Sequence, residues 1–322
     1  MDGADEILVA IRYTARLGFS AEITAMPRPD KLRAALVQHA CGDNLEQNLS
    51  ASLSGIREAA QSGAELVLLQ ELHRSRYFCQ QEDPALFDLA EPIPGPTTKQ
   101  LAALAGELDI VLVGSLFERR AAGLYHNTAV VLDGQRGLVG RYRKMHIPDD
   151  PGYYEKFYFT PGDLGFTPVE TRLGRLGVLV CWDQWFPEAA RLMATAGADL
   201  LLYPTAIGWD DGDDAGEQAR QLDAWMTIQR SHAIANGLPV LSCNRIGFEP
   251  DPADPARGAR FWGNSFIAGP QGEILARASA DSAEVLVCEL DLAHSEQVRR
   301  IWPYLRDRRI DHYGELNRLF RD

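Results

Sequence analysis

The chain alternates apolar, strand-like segments with amphipathic, helix-like segments, and it does so twice in the same order. Each half is predicted to run strand, helix, strand, helix, strand, hairpin. Predicted strands lie at 32–40, 64–71, 110–119, 175–181, 199–205 and 239–247; helices at 45–62, 97–108, 187–196 and 215–236; hairpins at 128–144 and 262–279. Strands that alternate with helices in this way form sheets whose faces are covered by the helices. The repeat therefore predicts an α/β fold with two sheets that carry helices on their outer faces.

The first thirty residues differ from this pattern. A short amphipathic helix is predicted over 7–19, and Pro27 and Pro29 interrupt the chain before the first convincing strand. We therefore expect residues 1–30 to be an N-terminal extension, with Met26 as a candidate natural start and a docking helix as the alternative. Residues 31–322 are expected to form a single domain.

Composition narrows the classes of function. The 322 residues are 46% hydrophobic, which supports a large buried core, and the net charge of −13 with a pI near 5.0 disfavours nucleic acid and anionic membranes as partners. The five cysteines are odd in number and never form a C-x-x-C pair, so neither a disulfide framework nor a zinc site is expected. These features favour a cytoplasmic protein.

Three polar residues end otherwise apolar predicted strands: Glu71 in AELVLLQE, Lys144 in GRYRK and Cys181 in RLGVLVC. Functional groups gather at the carboxyl ends of strands in open α/β sheets, so we expect the three to meet. Each has a structural alternative, namely a helix cap for Glu71, a solvated base for Lys144 and a core position for Cys181.

Together the three residues could transfer an acyl group. A helix is predicted just after Cys181, and a helix N-terminus beside a lysine should lower the pKa of the thiol from about 8.5 toward neutrality. Glu71 could accept the thiol proton, donate it to the leaving amine and activate water, if burial raises its own pKa. Lys144 and the backbone N–H of Trp182 could bind the oxyanion. This chemistry requires no metal and no cofactor.

At these positions the chain resembles the nitrilase superfamily of carbon-nitrogen hydrolases. The resemblance runs from about residue 31 to about residue 313, on the motifs LLQE, YRKMHIPDDPGYYEKFYFTPGD, CWDQWFPEAAR, YPTAIG, NRIG and FWGNSFIAGPQGEI. It implies a four-layer α-β-β-α sandwich with a Glu-Lys-Cys triad. It also implies that Glu155 orients the lysine and contacts substrate, and that His146 supports the site in members that cleave carbamoyl groups.

Within this superfamily the motifs are most similar to those of members that hydrolyse N-carbamoylputrescine to putrescine, ammonia and carbon dioxide. Members that bind a substrate carboxylate tend to carry arginines just after the cysteine, where this chain has Gln184 and Trp185. We expect Tyr77, Trp182 and Trp185 to line an apolar channel. Asp210 is the candidate partner for a distal ammonium, with Asp211 as its rival and a solvated acidic loop as the structural alternative.

Two other functions stay open at this point. One is a related amidase acting on a β-ureido acid or an ω-amide, and the other is a binding protein on the same fold that has lost catalysis. The resemblance also implies a homo-oligomer, a dimer or larger. The candidate oligomerisation tail starts at about residue 295 and contains the aromatic and basic segment IWPYLRDRRIDHY. The alternative is that this segment packs on its own subunit.

Overall fold

The structure is a computed structural model that describes residues 28–210 and 212–321. The predicted helix at 7–19, the candidate start at Met26 and the side chain of Asp211 lie outside these residues. The last residues of the predicted extension do contact the domain. Arg28 forms an ion pair with Asp199, and the carbonyl oxygen of Asp30 accepts from the N–H of Leu292.

The first of two large sheets has six strands. These are β1 (Lys31–Gln38), β2 (Leu66–Leu69), β3 (Val111–Ala121), β4 (Leu124–Asp133), β5 (Gly137–Arg143) and β15 (Glu284–Asp291). Their spatial order is β15-β1-β2-β3-β4-β5, with β1, β2 and β3 parallel to one another and the remaining pairs antiparallel. The predicted hairpin over 128–144 is confirmed by the antiparallel pairing of β4 and β5, with its turn after Asp133. β15 is a strand that the sequence pattern did not predict.

The second large sheet repeats this arrangement. Its strands are β6 (Val169–Thr171), β7 (Gly174–Val178), β8 (Leu200–Pro204), β10 (Val240–Cys243), β13 (Phe266–Ala268) and β14 (Ile274–Arg277). They are ordered β14-β13-β10-β8-β7-β6, with β7, β8 and β10 parallel. Both large sheets are thus mixed, as predicted.

A third, three-stranded sheet was not predicted. It consists of β9 (Gly208–Asp210), β11 (Ile246–Pro250) and β12 (Gly258–Trp262), all antiparallel. The prediction of one hairpin over 262–279 was therefore wrong at its start, because Trp262 belongs to β12. Gly263 and Asn264 both have a φ of 55°, and this left-handed turn redirects the chain so that the hairpin begins at Phe266.

The described residues form six α-helices, of which five lie between strands and one follows the last strand. They are α1 (Leu45–Gln61), α2 (Pro96–Leu108), α3 (Glu155–Tyr158), α4 (Pro187–Thr195), α5 (Ala215–Asn236) and α6 (Leu292–Ile301). Polar side chains start the long ones: Asn44 accepts from the first N–H groups of α1, and Asp214 does the same for α5. Among the described residues, no helix is long and apolar enough to cross a membrane.

Strand side chains alternate between two cores. Leu36 and Leu68 of the first sheet lie in one cluster with Leu202 and Leu241 of the second sheet. Their neighbours one residue along the strands, such as Val37, pack instead with residues of the outer helices, including Ile56, Leu101 and Leu104. Because a strand presents successive side chains to opposite faces, this division produces the four layers α-β-β-α.

The two large sheets meet at the edge where β2 and β8 end. There the backbone N–H of Glu71 donates to the carbonyl oxygen of Thr205 at 3.2 Å. Lys144 follows β5 directly, and Cys181 comes three residues after β7 ends. The fold therefore gathers the three predicted catalytic residues at one edge of the sandwich.

Candidate active site

Lys144 is the centre of a buried charge cluster. Its side chain is inaccessible to solvent, and its Nζ lies 2.9 Å from Oε1 of Glu71 and 2.6 Å from Oε2 of Glu155. Burial by itself would lower the pKa of Lys144, but the carboxylates of Glu155 and Glu71 raise it well above its usual value. Lys144 is therefore a permanent buried cation.

Glu71 has one oxygen engaged and one unpartnered. Its Oε1 accepts from Lys144 and, at 2.7 Å, from Nδ2 of Asn127. Asn127 is itself oriented by Ser115, whose hydroxyl donates to Oδ1 of Asn127 at 2.9 Å. Oε2 of Glu71 is buried and, within the part of the chain that is described, has no hydrogen-bond partner. A buried carboxylate oxygen without a partner is suited to accept a proton from substrate, water or a thiol.

Cys181 occupies a strained turn beside this cluster. It has a φ of 43° in the left-handed region, which is uncommon for a residue other than glycine, and it opens a 3₁₀ turn over Cys181–Trp185. The predicted helix, α4, begins only at Pro187, so the turn and not an α-helix follows the cysteine. The Sγ atom lies 3.8 Å from the carbonyl oxygen of Ala206.

The expectation that the Cys181 pKa falls toward neutrality was wrong. Burial raises the pKa of the thiol well above its usual value, and the nearby carboxylates of Glu71 and Glu155 add to the increase that Lys144 opposes. The cluster carries two carboxylates and one ammonium, so its net charge disfavours a thiolate. Cys181 must therefore lose its proton as it reacts, to a base within the cluster.

Glu155 and Tyr77 hold the lysine from its far side. The hydroxyl of Tyr77 donates to Oε1 of Glu155 at 2.6 Å, while Oε2 of Glu155 binds Lys144. Glu155 is the first residue of the short helix α3, and both side chains are buried. Tyr77 thus lies behind Glu155 rather than along a substrate channel, because its hydroxyl is directed at that carboxylate.

A cavity of about 610 Å³ opens in front of Cys181 and Glu155. Aromatic rings form much of its wall, contributed by Tyr153, Trp182, Trp185, Trp209 and Trp262. Four aspartates also line it: Asp150, Asp210, Asp213 and Asp251. Among the described residues of this lining, Arg257 is the one arginine or lysine. The cavity is thus an aromatic-walled space with a net negative lining, which favours a cationic ligand.

Three candidate substrate-binding residues lie outside this lining: Tyr77, Gln184 and His146. Gln184 is fully buried, where its Oε1 accepts from the hydroxyl of Thr205 at 3.2 Å, so it faces the interior of the sheet. His146 stacks on Phe186, with ring centroids 3.7 Å apart, and its Nδ1 lies 2.7 Å from Oδ1 of Asp183. Gln184 and His146 support the turn of Cys181 and do not face the cavity.

Asp210 has a partly satisfied carboxylate. It is the last residue of β9, it is exposed, and its Oδ1 accepts from the N–H of Gly212 at 2.7 Å. Asp213 binds Gln221 through Oδ2, also at the cavity wall. The structure thus adds further carboxylates to the single ammonium partner that was expected from the sequence.

Arg245 is a supporting residue that sequence reasoning missed. Its buried guanidinium donates to the carbonyl oxygens of Glu71 at 2.7 Å and Leu72 at 3.1 Å, and it pairs with Glu249 at 2.7 Å. Glu249 in turn accepts from the N–H of Tyr77 at 2.6 Å. The NRIG motif contains this arginine, but only the three-dimensional structure shows that it fixes the backbone from Glu71 to Tyr77.

No metal-binding cluster is evident in residues 28–210 and 212–321, where no group of three or more His, Cys, Asp and Glu side chains is placed to hold an ion.

Comparison with known proteins agrees with this geometry. Residues 33–300 match the family model described as carbon-nitrogen hydrolase. The chain belongs to the carbon-nitrogen hydrolases of the nitrilase superfamily. It is therefore an amide-hydrolysing enzyme, and the binding-protein alternative is not supported.

Relatives within this family are similar over most of their length. The N-carbamoylputrescine amidase of Solanum lycopersicum is 44% identical over 284 residues, which cover 88% of this chain and 93% of that protein. The citrullinase of Francisella tularensis is 40% identical over 294 residues, which cover 90% of this chain and 99% of that protein. A crystal structure of a carbon-nitrogen hydrolase from Helicobacter pylori G27 superposes with a TM-score of 0.87 at 50% identity, covering 90% of this chain and all of that one.

The pKa of Glu155 predicts how activity depends on pH. Burial raises this pKa to about 7, although Lys144 lowers it, so Glu155 becomes protonated as the pH falls through neutrality. Lys144 then has one anionic partner left, so its ammonium is held less firmly beside Cys181, where it would bind the oxyanion. We expect kcat/KM for ammonia release to fall on the acid side of about pH 7, and Glu155→Gln to lose this acid limb.

The matched control is Glu170→Gln, which changes an exposed glutamate on β6 and should retain the acid limb. An unchanged midpoint in the Glu155→Gln profile would show that another group controls the acid limb.

Proposed function

We propose that this enzyme hydrolyses N-carbamoylputrescine to putrescine, ammonia and carbon dioxide through a covalent intermediate on Cys181. The observation that carries the chemistry is the buried Glu71–Lys144–Glu155 cluster, which acts electrostatically on the Cys181 thiol at the end of the cavity. Support for the substrate comes from the aromatic, net negative cavity lining and from relatives that carry this activity in their names.

The first half of the reaction forms the intermediate. The unpartnered oxygen of Glu71 accepts the thiol proton while Sγ of Cys181 attacks the carbamoyl carbon. Negative charge develops on the carbamoyl oxygen, where Lys144 and the N–H of Trp182, at the start of the 3₁₀ turn, stabilise it. The carbon–nitrogen bond then breaks as the protonated Glu71 returns its proton to the departing nitrogen.

The second half consumes water. Glu71, again a carboxylate, takes a proton from water as the water oxygen attacks the thioester-like carbon. The new tetrahedral intermediate expels sulfur, which recovers its proton from Glu71. The released carbamic acid then decomposes to carbon dioxide and an amine. Since the pKa of the Cys181 thiol is raised, sulfur loses its proton to Glu71 in the first half and regains it from Glu71 in the second, without accumulating a free thiolate.

Replacing the nucleophile tests this mechanism. Cys181→Ser and Cys181→Ala should reduce ammonia release by at least about 10⁴-fold, because the remaining groups cannot form the covalent intermediate. Cys288→Ser is the matched control, because Cys288 is a half-buried thiol on β15 and its loss should leave turnover unchanged. Near-normal turnover by a folded Cys181 variant would refute the mechanism.

Citrulline is a second candidate substrate, and Arg257 is the observation that favours it. Citrulline has the carbon chain of N-carbamoylputrescine with a carboxylate added at the carbon that bears the ammonium. The sequence offered no arginine beside Cys181 for a carboxylate, but Arg257 reaches the cavity from the 251–257 loop. One arginine among four aspartates still leaves the lining net negative, so we place the diamine derivative first.

A substrate panel separates these candidates. We expect kcat/KM to be highest for N-carbamoylputrescine, lower for citrulline and lowest for N-carbamoyl-β-alanine, which has a carboxylate and no ammonium. Asp210→Asn should raise KM for N-carbamoylputrescine by about 3- to 10-fold, the effect of losing a partly exposed ion pair of about 1 kcal/mol. Ammonia release measures each rate.

Two variants serve as controls for this panel. Asp254→Asn changes an exposed aspartate outside the cavity lining and should leave KM unchanged. Arg257→Gln should reduce turnover of citrulline more than turnover of N-carbamoylputrescine. A preference for N-carbamoyl-β-alanine, or a KM unaffected by Asp210→Asn, would overturn the ammonium site.

The C-terminal segment supports the predicted homo-oligomer. From the last residue of α6 onward it exposes large apolar side chains, namely Ile301, Trp302, Tyr304, Ile310, Leu316, Leu319 and Phe320. Exposed apolar surface of this kind is typical of protein interfaces. We propose that it contacts a second copy, in a reducing cytoplasm that keeps the five described cysteines as free thiols.

Light scattering after size exclusion tests the assembly. Ile310→Asp with Leu316→Asp should lower the molecular mass in solution, because two charges would be buried without partners. Leu164→Asp, at an exposed leucine elsewhere, should leave the mass unchanged. An unchanged mass in the double variant would place the interface elsewhere.

A further inference from the structure

Asp183 is a fully buried carboxylate in the turn that begins with Cys181. Both of its oxygens are engaged. Oδ2 accepts from the backbone N–H of Val180 at 2.9 Å and from the hydroxyl of Tyr142 at 2.9 Å. Oδ1 accepts from the backbone N–H of His146 at 3.0 Å, and lies 2.7 Å from Nδ1 of the same histidine. A carboxylate can only accept there, so Nδ1 carries the proton.

These donors come from both sides of the catalytic pair. Val180 immediately precedes Cys181, whereas Tyr142 and His146 flank Lys144 at two residues on either side. The two segments belong to different sheets, because β5 is an edge strand of the first sheet and Cys181 follows β7 of the second. One carboxylate therefore joins the backbone around the nucleophile to the backbone around the lysine.

We propose that Asp183 is a positioning residue that sets Cys181 against Lys144 and Glu71. This inference rests on the proposed role of Cys181 as the nucleophile. Cys181 has a φ of 43°, a conformation that surrounding contacts must maintain. Asp183 supplies such contacts on the residue before the cysteine, and it ties them to the segment that carries the lysine.

The chemistry of the side chain makes the proposal specific. Each oxygen of Asp183 accepts from a different backbone N–H, so the site needs two acceptors. Asparagine has the same shape but only one acceptor oxygen, and its NH₂ group would face a backbone N–H in either orientation. Asp183→Asn therefore breaks the connection on one side of the catalytic pair with almost no change in volume.

Kinetics and thiol labelling test the role of Asp183. Asp183→Asn should lower kcat by about 100-fold, the effect of a misplacement near 1 Å, with KM for N-carbamoylputrescine changed far less. Alkylation of Cys181 by iodoacetamide should slow as well, measured by peptide mass spectrometry with Cys288 of the same sample as the internal reference. The alkylation rate does not depend on which substrate is correct, so it separates this inference from the proposed substrate.

Asp133→Asn is the matched control. Asp133 is also buried, and its two oxygens accept from the backbone N–H groups of Gln135 and Arg172. It lies at the β4–β5 turn, at the opposite end of β5 from Lys144. Asp133→Asn should lower the melting temperature while kcat per folded molecule and the Cys181 alkylation rate stay unchanged.

Two results would overturn the proposal. One is a folded Asp183→Asn enzyme with kcat and Cys181 alkylation within about 3-fold of the parent. The other is an equal loss per folded molecule in Asp183→Asn and Asp133→Asn. If Asp183→Asn does not fold, the double variant Tyr142→Phe with His146→Ala tests the proposal instead. It removes only the two side chains on the lysine side that donate to Asp183. A fall in kcat with slower alkylation supports the proposal, and unchanged values refute it.

Discussion

The ion pairs of Lys144 with Glu71 and Glu155 are the interaction on which the rest of the structure depends. Taking three charges out of water is costly, and such a cluster persists only where each group is paired and hydrogen-bonded. The cluster meets this condition with one exception, the unpartnered oxygen of Glu71. The single unsatisfied acceptor is thus the atom at which the proposed chemistry moves protons.

The net charge of the cluster explains the behaviour assigned to Cys181. Two carboxylates and one ammonium leave an excess negative charge, which with burial raises the pKa of the thiol. An enzyme with a preformed thiolate would gain nucleophilicity in the resting state. In the proposed mechanism sulfur instead loses its proton to Glu71 as it attacks, and the negative charge then develops on the carbamoyl oxygen, beside Lys144.

Much of the surrounding fold holds the cluster in position. Asn127 orients Glu71, Arg245 binds the backbone that follows Glu71, and Asp183 connects the segments of Lys144 and Cys181. These supports come from separate strands and turns of both large sheets. The sandwich therefore serves the site by bringing two sheet edges together, with Glu71 hydrogen-bonded across to Thr205.

The sequence predicted most of the layers because strand and helix periodicity is a local property. It also predicted that Glu71, Lys144 and Cys181 lie close together, because functional groups gather at the carboxyl ends of strands in α/β sheets. It did not predict the three-stranded sheet, whose strands β9, β11 and β12 are short and in which β9 pairs with β12 far along the chain.

The wrong predictions at the site also arose because contacts between distant parts of the chain are not visible in the local sequence. Gln184 was assigned to substrate because it lies near Cys181 in sequence, but the 3₁₀ turn directs it toward the interior. His146 was assigned from the family resemblance, and it lies instead against Asp183 and Phe186, outside the cavity lining. Arg257 was overlooked because a loop brings it to the cavity from far along the chain. The sign of the Cys181 pKa shift depends first on burial of the thiol, to which the carboxylates of Glu71 and Glu155 add, and local sequence does not show how deeply a side chain is buried.

The most direct test of the mechanism is mass spectrometry of the enzyme after rapid acid quench at several times during turnover of N-carbamoylputrescine. Covalent catalysis at Cys181 predicts a thiocarbamate adduct on the peptide that contains Cys181, with the mass of either the carbamoyl group or the putrescinyl-carbamoyl group. Continued ammonia release with Cys181 unmodified at every quench time, or an adduct on another residue, would contradict it.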